Sequence, residues 1–402
     1  TNIYNAIYSL NSYVFEKGLL DDEEINVYKH PYKELFFKYT DKELFYQLKD
    51  KYNFDLIDCV IEACQKRLTD IFNNNKLFDI QVYYKMKKYD NETNQIIYRP
   101  IHAADLITQI CIVSLLNVIA FDDSTGSREL SDVSELIPSN FYGNIPSPDI
   151  KQIFYDWHIK YKEYSQDVIE AYNTYEKTGE YKYEVCLDLE NFFPSINPDI
   201  IYNILLKKLS IVYKNNSEDL KKILEKLLFF NITNIHDSYE KYYPINENVC
   251  KNLDKTKLLK KNKYPSLGIP QGLPQAYYFG NICMIEIAKL INEEFSGKSF
   301  YYVDDSVIYT NRRLSDKEEF KKLISELNKK INQTLNDLII EECSKNPFDH
   351  YKINIHEDEK STYSDIMNEK KYGRSFLKQI NIGTSTVTFD ILTAIDELQD
   401  ET

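Results

Sequence analysis

Two adjacent acids lie in the tetrad Tyr302-Val303-Asp304-Asp305, among apolar, β-branched and aromatic residues where a strand pattern would not tolerate charge. The flanking segments Lys298–Phe300 and Val307–Thr310 are typical of short strands, which predicts a hairpin with residues 303–306 at its tip. Neighbouring carboxylates repel each other unless a proton or a metal ion relieves their charge. Aspartate is also common in solvated turns. The tetrad alone therefore leaves both a metal site and an ordinary turn open.

Two other segments carry residue types that could act with these acids. Asp188 stands near the end of the β-prone run Tyr181–Leu189. The segment Gly268–Gln275 combines two glycines and two prolines with two amides, and an apolar helix is predicted after it from about Ala276 to Phe295. A rigid loop before a helix N terminus can present backbone N–H groups and an amide side chain to a ligand.

The order and spacing of these three elements match the needs of nucleotidyl transfer. That reaction uses two divalent ions about 3.5–4 Å apart, one to activate the attacking 3′ oxygen and one to hold the triphosphate and leaving group. Mg²⁺ prefers oxygen ligands and usually takes a few carboxylates together with substrate phosphates. Three carboxylates on two adjacent strands would supply such a site.

The same three segments resemble the palm of a reverse transcriptase. They are Leu187-Asp188-Leu189-Glu190-Asn191-Phe192-Phe193-Pro194-Ser195-Ile196, Gly268 through Gln275, and Tyr302-Val303-Asp304-Asp305. The resemblance covers roughly Tyr83 to Ile382 and is weaker towards the fingers and thumb ends. It implies an RNA-directed DNA polymerase of the α+β class. The implied fold has a right-hand polymerase-like palm (an antiparallel sheet with helices), fingers, and largely helical N-terminal and C-terminal parts.

The resemblance also implies roles for individual residues. Asp188, Asp304 and Asp305 would be the catalytic residues and would hold two Mg²⁺ ions, with Mn²⁺ as an alternative. Phe193, five positions after Asp188, matches the steric gate, whose ring blocks the 2′-hydroxyl and so selects deoxynucleotides. A core aromatic is the competing interpretation of Phe193, and Phe192 fits that interpretation better.

Three further residues match nucleotide-binding positions of the family. Arg99 matches the fingers arginine that clamps the triphosphate. Gln271 would contact the incoming nucleotide or the template strand near it, and Lys360 falls where the family often has a lysine near the nucleotide phosphates. Lysines that could assist Arg99 are Lys85, Lys87 and Lys88.

The sequence departs from the family pattern in two places. Many members have a small hydroxyl residue soon after the Gly-Leu-Pro, whereas this chain has Gln275-Ala276-Tyr277-Tyr278, which would place bulky aromatics by the template path. The primer-grip region near Phe376-Leu377-Lys378 is only faintly recognisable.

Composition limits the classes of function. A net charge of −14 argues against a protein that coats nucleic acid over its whole surface, although the lysine-rich stretch 251–263 could form a local basic channel. The seven cysteines form no C-x-x-C pair, which predicts buried reduced thiols in a cytoplasmic protein rather than disulfides or a zinc site. No run of about 18 apolar residues predicts a membrane span.

Local signals predict the order of the secondary structure. The periodicity predicts helix over Thr1–Asn75, strands over Phe78–Met86 and Ile96–Pro100, and helix from Ile101. Further predicted segments are a long loop at Asp122–Ser147 and helices over Pro148–Lys177, Asp199–Tyr213, Ser217–Phe230 and Ser315 to about Cys343. Asn197-Pro198 is the start signal of the second of these helices, and a capping box that begins at Ser315 starts the last.

We expect four regions along the chain. Residues 1–77 would form a helical N-terminal region, 78–180 a fingers-like region, and 181–365 the palm with the catalytic carboxylates. Residues 366–402 would form the start of a thumb or of a C-terminal helical region.

The combination most resembles bacterial defence-associated reverse transcriptases, including the abortive-infection group, some of which synthesise DNA without a conventional template or prime from a side chain. The expected partners are dNTPs and nucleic acid, either an RNA template or noncoding RNA with a DNA product, and a homo-oligomer or a partner protein. A conventional enzyme that copies a linked noncoding RNA, an RNA-dependent RNA polymerase, and a catalytically silent palm used as a scaffold remain alternatives.

Overall fold

A computed structural model of the chain describes residues 2–7, 9, 54–90, 95–122, 128–150, 152–212, 217–233, 268–337, 353–357 and 360–367. Besides residues 2–7, the helices are α1 (Phe54–Asn73), α2 (Leu106–Ala120), α3 (Trp157–Thr178), α4 (Phe192–Ser195), α5 (Pro198–Val212), α6 (Ser217–Leu228), α7 (Pro274–Phe295) and α8 (Lys317–Asn336). The strands are β1 (Phe78–Asp90), β2 (Gln95–Ala103), β3 (Phe121–Asp122), β4 (Glu129–Leu130), β5 (Tyr183–Asp188), β6 (Phe230–Ile232), β7 (Lys298–Tyr302), β8 (Asp305–Thr310) and β9 (Thr362–Asp365). The mixed α+β class is confirmed.

A four-stranded antiparallel sheet in the order β7-β8-β5-β9 contains both acidic motifs. The central residues of β5 are buried, and in β8 everything after Asp305 is buried. The predicted hairpin is confirmed, but its turn is shorter than predicted. Because Tyr302 pairs with Asp305, only Val303 and Asp304 form the turn, and Asp305 and Ser306 belong to β8.

A second sheet, in the order β2-β1-β6, carries Arg99. Residues 81–90 of β1 pair with β2 as an antiparallel hairpin, with a bulge after Met86, and residues 78–80 pair with β6 in parallel. The predicted helix start at Ile101 is wrong, since residues 101–103 still pair with β1. Asp105 caps α2 instead, accepting a hydrogen bond from Thr108 N at 3.0 Å.

Caps and strand pairing also set other boundaries differently from the prediction. Helix α3 begins at Trp157 rather than near Pro148, because the Asp156 carboxylate caps its first N–H groups. Helix α6 ends at Leu228, since Phe230 pairs with Phe78 of β1. The predicted loop 122–147 includes the short strand β4 and a 3₁₀ turn, Ser134–Leu136.

The predicted start of α8 is one residue too early. Its N-cap is Asp316, whose Oδ1 accepts from Glu319 N at 2.8 Å, while Ser315 N donates to Glu319 Oε2. The helix ends at Asn336 among the described residues. Residues 338–352 lie outside the described part, as do the lysine-rich stretch 251–263 and the primer-grip region 376–378.

Helix α7 forms the centre of the main apolar core. Sixteen of its residues are buried, and it packs against α2, α5 and α8. Buried free thiols were predicted, and this is confirmed for the cysteines that the structure describes in full, Cys64, Cys111, Cys186 and Cys283. Within the described ranges, no helix has the length and apolar character needed to cross a membrane.

Candidate active site

The sheet brings the predicted acids to one place. Asp188, the last residue of β5, lies directly opposite Asp305, the first residue of β8. Side chains of directly opposed residues share one face of an antiparallel pair, with Cβ atoms about 4.5–5.5 Å apart. Asp304 is the neighbouring residue in the turn. The three carboxylates therefore occupy one end of one sheet.

The turn that carries Asp304 has an unusual backbone. Val303 has φ 56°, the left-handed region that β-branched residues rarely adopt. Tyr302, before it, packs edge to face on Tyr161 of α3, with ring centroids 5.2 Å apart, and its ring lies tilted against that of Tyr164 at 5.5 Å. A strained conformation of this kind persists only where the surrounding structure holds it.

The surroundings of Asp305 raise its proton affinity. Desolvation by neighbouring protein atoms, followed by the charges of Asp304 and Asp188, raises the pKa of Asp305 to about 7, and Lys360 acts in the opposite direction. Asp305 keeps an exposed surface, so solvent screens part of the repulsion. A bound cation would relieve the repulsion that remains.

Lys360 and His356 face Asp188 from the segment that follows α8. Lys360 Nζ lies 3.5 Å from Asp188 Oδ2, and His356 Nε2 lies 3.8 Å from the same oxygen. The two side chains also contact each other, with Lys360 Nζ 3.0 Å from His356 Nε2. The structure thus places Lys360 at the acidic end of the sheet. The acidic residues that precede it in the sequence, Glu357-Asp358-Glu359, did not predict this position.

His356 is a residue that the sequence pattern did not indicate. Its backbone N–H donates to Asp188 O at 2.9 Å, and its Nδ1 lies 3.3 Å from Glu190 Oε1. A second backbone bond, from Glu190 N to Asn354 O at 2.7 Å, holds the two segments side by side. The six histidines have no metal-ligand spacing in the sequence, so only this long-range pairing identifies His356.

The donor atoms at this end of the sheet suit a hard divalent cation. Among the residues that the structure describes, no group of three or more His, Cys, Asp or Glu side chains is already arranged to hold a metal ion. Carboxylate oxygens on two adjacent strands are nevertheless the ligand type that Mg²⁺ and Mn²⁺ take. Desolvation and the charges of Asp304 and Asp188, which together raise the pKa of Asp305, also favour a cation between these groups, so the residues present fit the predicted ions.

Phe193 and the Gly268–Gln275 segment are joined directly. Ile269 N donates to Phe193 O at 3.0 Å. The Phe193 ring packs edge to face on Phe192 at 5.5 Å and on Tyr277 at 5.3 Å. Phe192 is 2% exposed and Phe193 7% exposed, so burial does not distinguish a steric gate from a core aromatic.

The backbone of Gln271 is fixed to strand β2. His102 N donates to Gln271 O at 2.7 Å, and His102 Nδ1 lies 3.1 Å from the same oxygen. Burial lowers the pKa of His102 to about 4, so this imidazole is neutral at pH 7. Gly272 has φ +109°, and a Cβ on it would lie 2.5 Å from His102 O. Glycine is therefore required at position 272, where the loop meets strand β2. The side chain of the preceding residue, Gln271, is half-buried.

Arg99 lies on the strand that holds this loop, three positions before His102. It is exposed and pairs across the hairpin with Lys85, also exposed, so the two cations share a face. Within the described residues, no contact joins Arg99 to Asp188 or Asp305. The side chains of Lys87 and Lys88 lie outside the described set.

The expectation of bulky aromatics by the template path is wrong for Tyr278. This residue is fully buried, with its hydroxyl 3.1 Å from Ser134 Oγ. Helix α7 begins at Pro274, which directs Tyr278 into the core, whereas Tyr277 is half-buried against Phe193.

The raised pKa of Asp305 predicts how stability depends on pH. A carboxyl whose pKa rises from 3.8 to about 7 on folding binds its proton more tightly in the folded state. Its stabilising contribution is therefore present at low pH and lost as the pH rises through about 7. We expect the thermal midpoint in EDTA to fall over this range in the native protein, and to fall less in Asp305→Asn. Mg²⁺ should raise the midpoint more at pH 8 than at pH 5. If the thermal midpoints of the native protein and of Asp305→Asn depended equally on pH, the raised pKa of Asp305 would be contradicted.

Comparison with known proteins agrees with this geometry. The family model for reverse transcriptase (RNA-dependent DNA polymerase) matches residues 127–342, more than half of the 402 residues. The match contains Asp188, Phe193, Gln271, Asp304 and Asp305, while Arg99 and Lys360 fall outside it. No curated protein matches the chain significantly. Its sequence motifs, the pairing of their acids in one sheet and this match together show that the chain belongs to the reverse transcriptase (RNA-dependent DNA polymerase) family.

Proposed function

We propose that this RNA-directed DNA polymerase adds deoxynucleotides by a two-metal mechanism at Asp188, Asp304 and Asp305. The observation that carries the proposal is the register of the sheet, which sets Asp188 opposite Asp305 beside the turn that holds Asp304. Reverse transcriptases in general use divalent metals. When bound, the two ions would activate the attacking 3′ oxygen and stabilise the charge on the triphosphate and leaving group.

The residues around the carboxylates would complete a nucleotide site. Lys360 is exposed, and its ammonium group lies 3.5 Å from Asp188. When nucleotide binds, this ammonium group would form an ion pair with a phosphate instead of with Asp188. His356 would keep Asp188 oriented through its backbone and side-chain contacts. Phe193 would exclude the 2′-hydroxyl, and Gln271, on the loop bonded to Phe193, would contact the nucleotide or the nearby template.

We assign the β7-β8-β5-β9 sheet to a right-hand palm and the β1–β2 hairpin to the fingers. The support for a fingers role is the exposed cationic pair Lys85 and Arg99 on one face of the hairpin. The bond from His102 to Gln271 also ties this hairpin to the active-site loop. A triphosphate between the two sheets would meet Arg99 from one side and Lys360 from the other.

For biological role we propose bacterial antiphage defence, with non-templated or protein-primed synthesis. The support is the resemblance to the abortive-infection group and the acidic net charge of −14. A polymerase that does not hold a long duplex needs less basic surface, because duplex binding relies on Lys and Arg contacts to phosphates.

The test gives purified protein each dNTP with Mg²⁺, with and without template and primer, and digests the products with protease. Incorporation of dNTPs but not rNTPs is expected, which would exclude an RNA polymerase. Products that form without template and shift in mobility on proteolysis would support protein priming. Synthesis that requires copurifying RNA would favour the enzyme dedicated to a noncoding RNA, and no incorporation under any condition would leave only the scaffold interpretation.

A further inference from the structure

A segment distant from the catalytic motifs in sequence runs along the free edge of β7. Tyr301 N donates to Asn140 O, and Tyr142 N donates to Tyr301 O, both at 2.9 Å. Asn140 Nδ2 also donates to Ser299 O at 3.0 Å. The segment 140–144 is thus attached to the strand that leads into the turn at Val303 and Asp304.

Gly143 lies directly against that turn. A Cβ placed on Gly143 would lie 2.5 Å from Val303 Cγ2 and 2.9 Å from Val303 N. The second of these atoms belongs to the backbone, so a side chain at position 143 could be accommodated only if the turn moved. Gly143 is not among the residues with positive φ, which means that its own backbone would accept alanine. Glycine is therefore needed here because a side chain would collide with Val303, and not because of the backbone conformation of Gly143.

The core helix α7 holds Gly143 in this position. Asn281, 2% exposed, donates from Nδ2 to Gly143 O at 2.9 Å and to Asn144 O at 3.0 Å. These two bonds fix the backbone on both sides of the Gly143–Asn144 peptide. A buried carbonyl that loses its donor is left unsatisfied away from water, so these bonds hold the segment firmly.

We propose that Gly143 is a positioning residue for DNA synthesis, seating the left-handed Val303 so that Asp304 and Asp305 align with Asp188, and that Asn281 fixes Gly143 in place. The inference rests on the proposed catalytic role of the turn. A misplacement of reacting groups by about 1 Å can lower a rate about 100-fold without loss of substrate binding. In this role Gly143 and Asn281 act on the carboxylates through Val303.

The main test is Gly143→Ala. We expect kcat for dNTP incorporation to fall about 100-fold, while KM for the dNTP stays within about threefold because the phosphate and base contacts lie elsewhere. Mn²⁺ binding to the protein without nucleotide, followed by electron paramagnetic resonance, should weaken about tenfold. This second measurement reports the geometry of the carboxylates without any turnover.

A second-site change should restore activity. Val303→Gly removes the Cγ2 atom, the nearer of the two atoms that the new methyl group would meet, and glycine adopts positive φ readily. The approach to the backbone N of residue 303 remains, so we expect partial recovery. The double variant Gly143→Ala with Val303→Gly should therefore recover at least about tenfold of the lost kcat. A matched control is Gly179→Ala at the C terminus of α3, where φ is +69° and nothing lies within 4 Å of a new Cβ. It should lose stability through its backbone and keep its kcat.

The outcomes are distinguishable. If Gly143→Ala folds and keeps kcat and Mn²⁺ affinity within about threefold of the native values, the positioning role is wrong. If Gly143→Ala does not fold, Asn281→Ala is the test variant. We expect its kcat to fall about tenfold with KM unchanged. An unchanged kcat would overturn the proposal. The proposed function fails separately, if a protein without Asp304 and Asp305 still incorporates dNTPs.

Discussion

Replacing Asp304 and Asp305 together with alanine should lower metal-dependent dNTP incorporation about 1,000-fold or more. The expected magnitude follows from the loss of charge stabilisation at the transferring phosphoryl group, since even one preorganised donor contributes about 100- to 1,000-fold in other enzymes. Primer extension and direct dNTP labelling with Mg²⁺ and with Mn²⁺ would measure the loss.

The same double variant should keep its fold. Desolvation, and after it repulsion from Asp304 and Asp188, raises the pKa of Asp305. Removal of the two acids should therefore leave the thermal midpoint in EDTA unchanged or higher at pH 8. Asp219→Asn, a change at an exposed position of α6, is the control for loss of a surface carboxylate and should keep full activity. Incorporation by the double variant at more than about a tenth of the native rate would contradict the two-metal assignment.

Phe193→Val should relax the choice of sugar. If the Phe193 ring blocks the 2′-hydroxyl, the smaller side chain should lower the preference for dNTP over rNTP, measured as the ratio of kcat/KM values, by about 100-fold. Steric discrimination by one pocket wall is of about this size. The value of kcat/KM for dNTPs should change much less, because the carboxylates and the phosphate contacts are untouched.

The neighbouring aromatic supplies the matched control. Phe192 is as buried as Phe193, and the two rings are in contact. Phe192→Val should therefore destabilise the protein to a similar degree, by less than the roughly 3–5 kcal/mol of a Phe→Ala change in a core. It should leave the dNTP preference intact. Equal effects of the two variants on rNTP use would show that Phe193 is a core residue and not a gate.

The local signals predicted some elements well and others only approximately. The Asn197-Pro198 start of α5 and the hairpin that bears Asp304 are confirmed. The start of α2 is wrong because pairing with β1 extends β2 to Ala103, and this hydrogen bonding outweighs the helical periodicity after Ile101. Periodicity describes one segment at a time, whereas an element ends where a cap or a partner strand satisfies its backbone.

The sequence by itself determined the chemical types at the site: the carboxylates Asp188, Asp304 and Asp305, the Gly/Pro/Gln loop, and their order along the chain. These are local properties that residue type and spacing express directly. Only the tertiary structure decided that Asp188 pairs opposite Asp305, that His356 and Lys360 reach Asp188, and that Gly143 seats against Val303. Such contacts join segments far apart in the chain. They form because β-strand pairing and burial around α7 satisfy the backbone and apolar groups of several segments at once, and no single segment encodes that outcome.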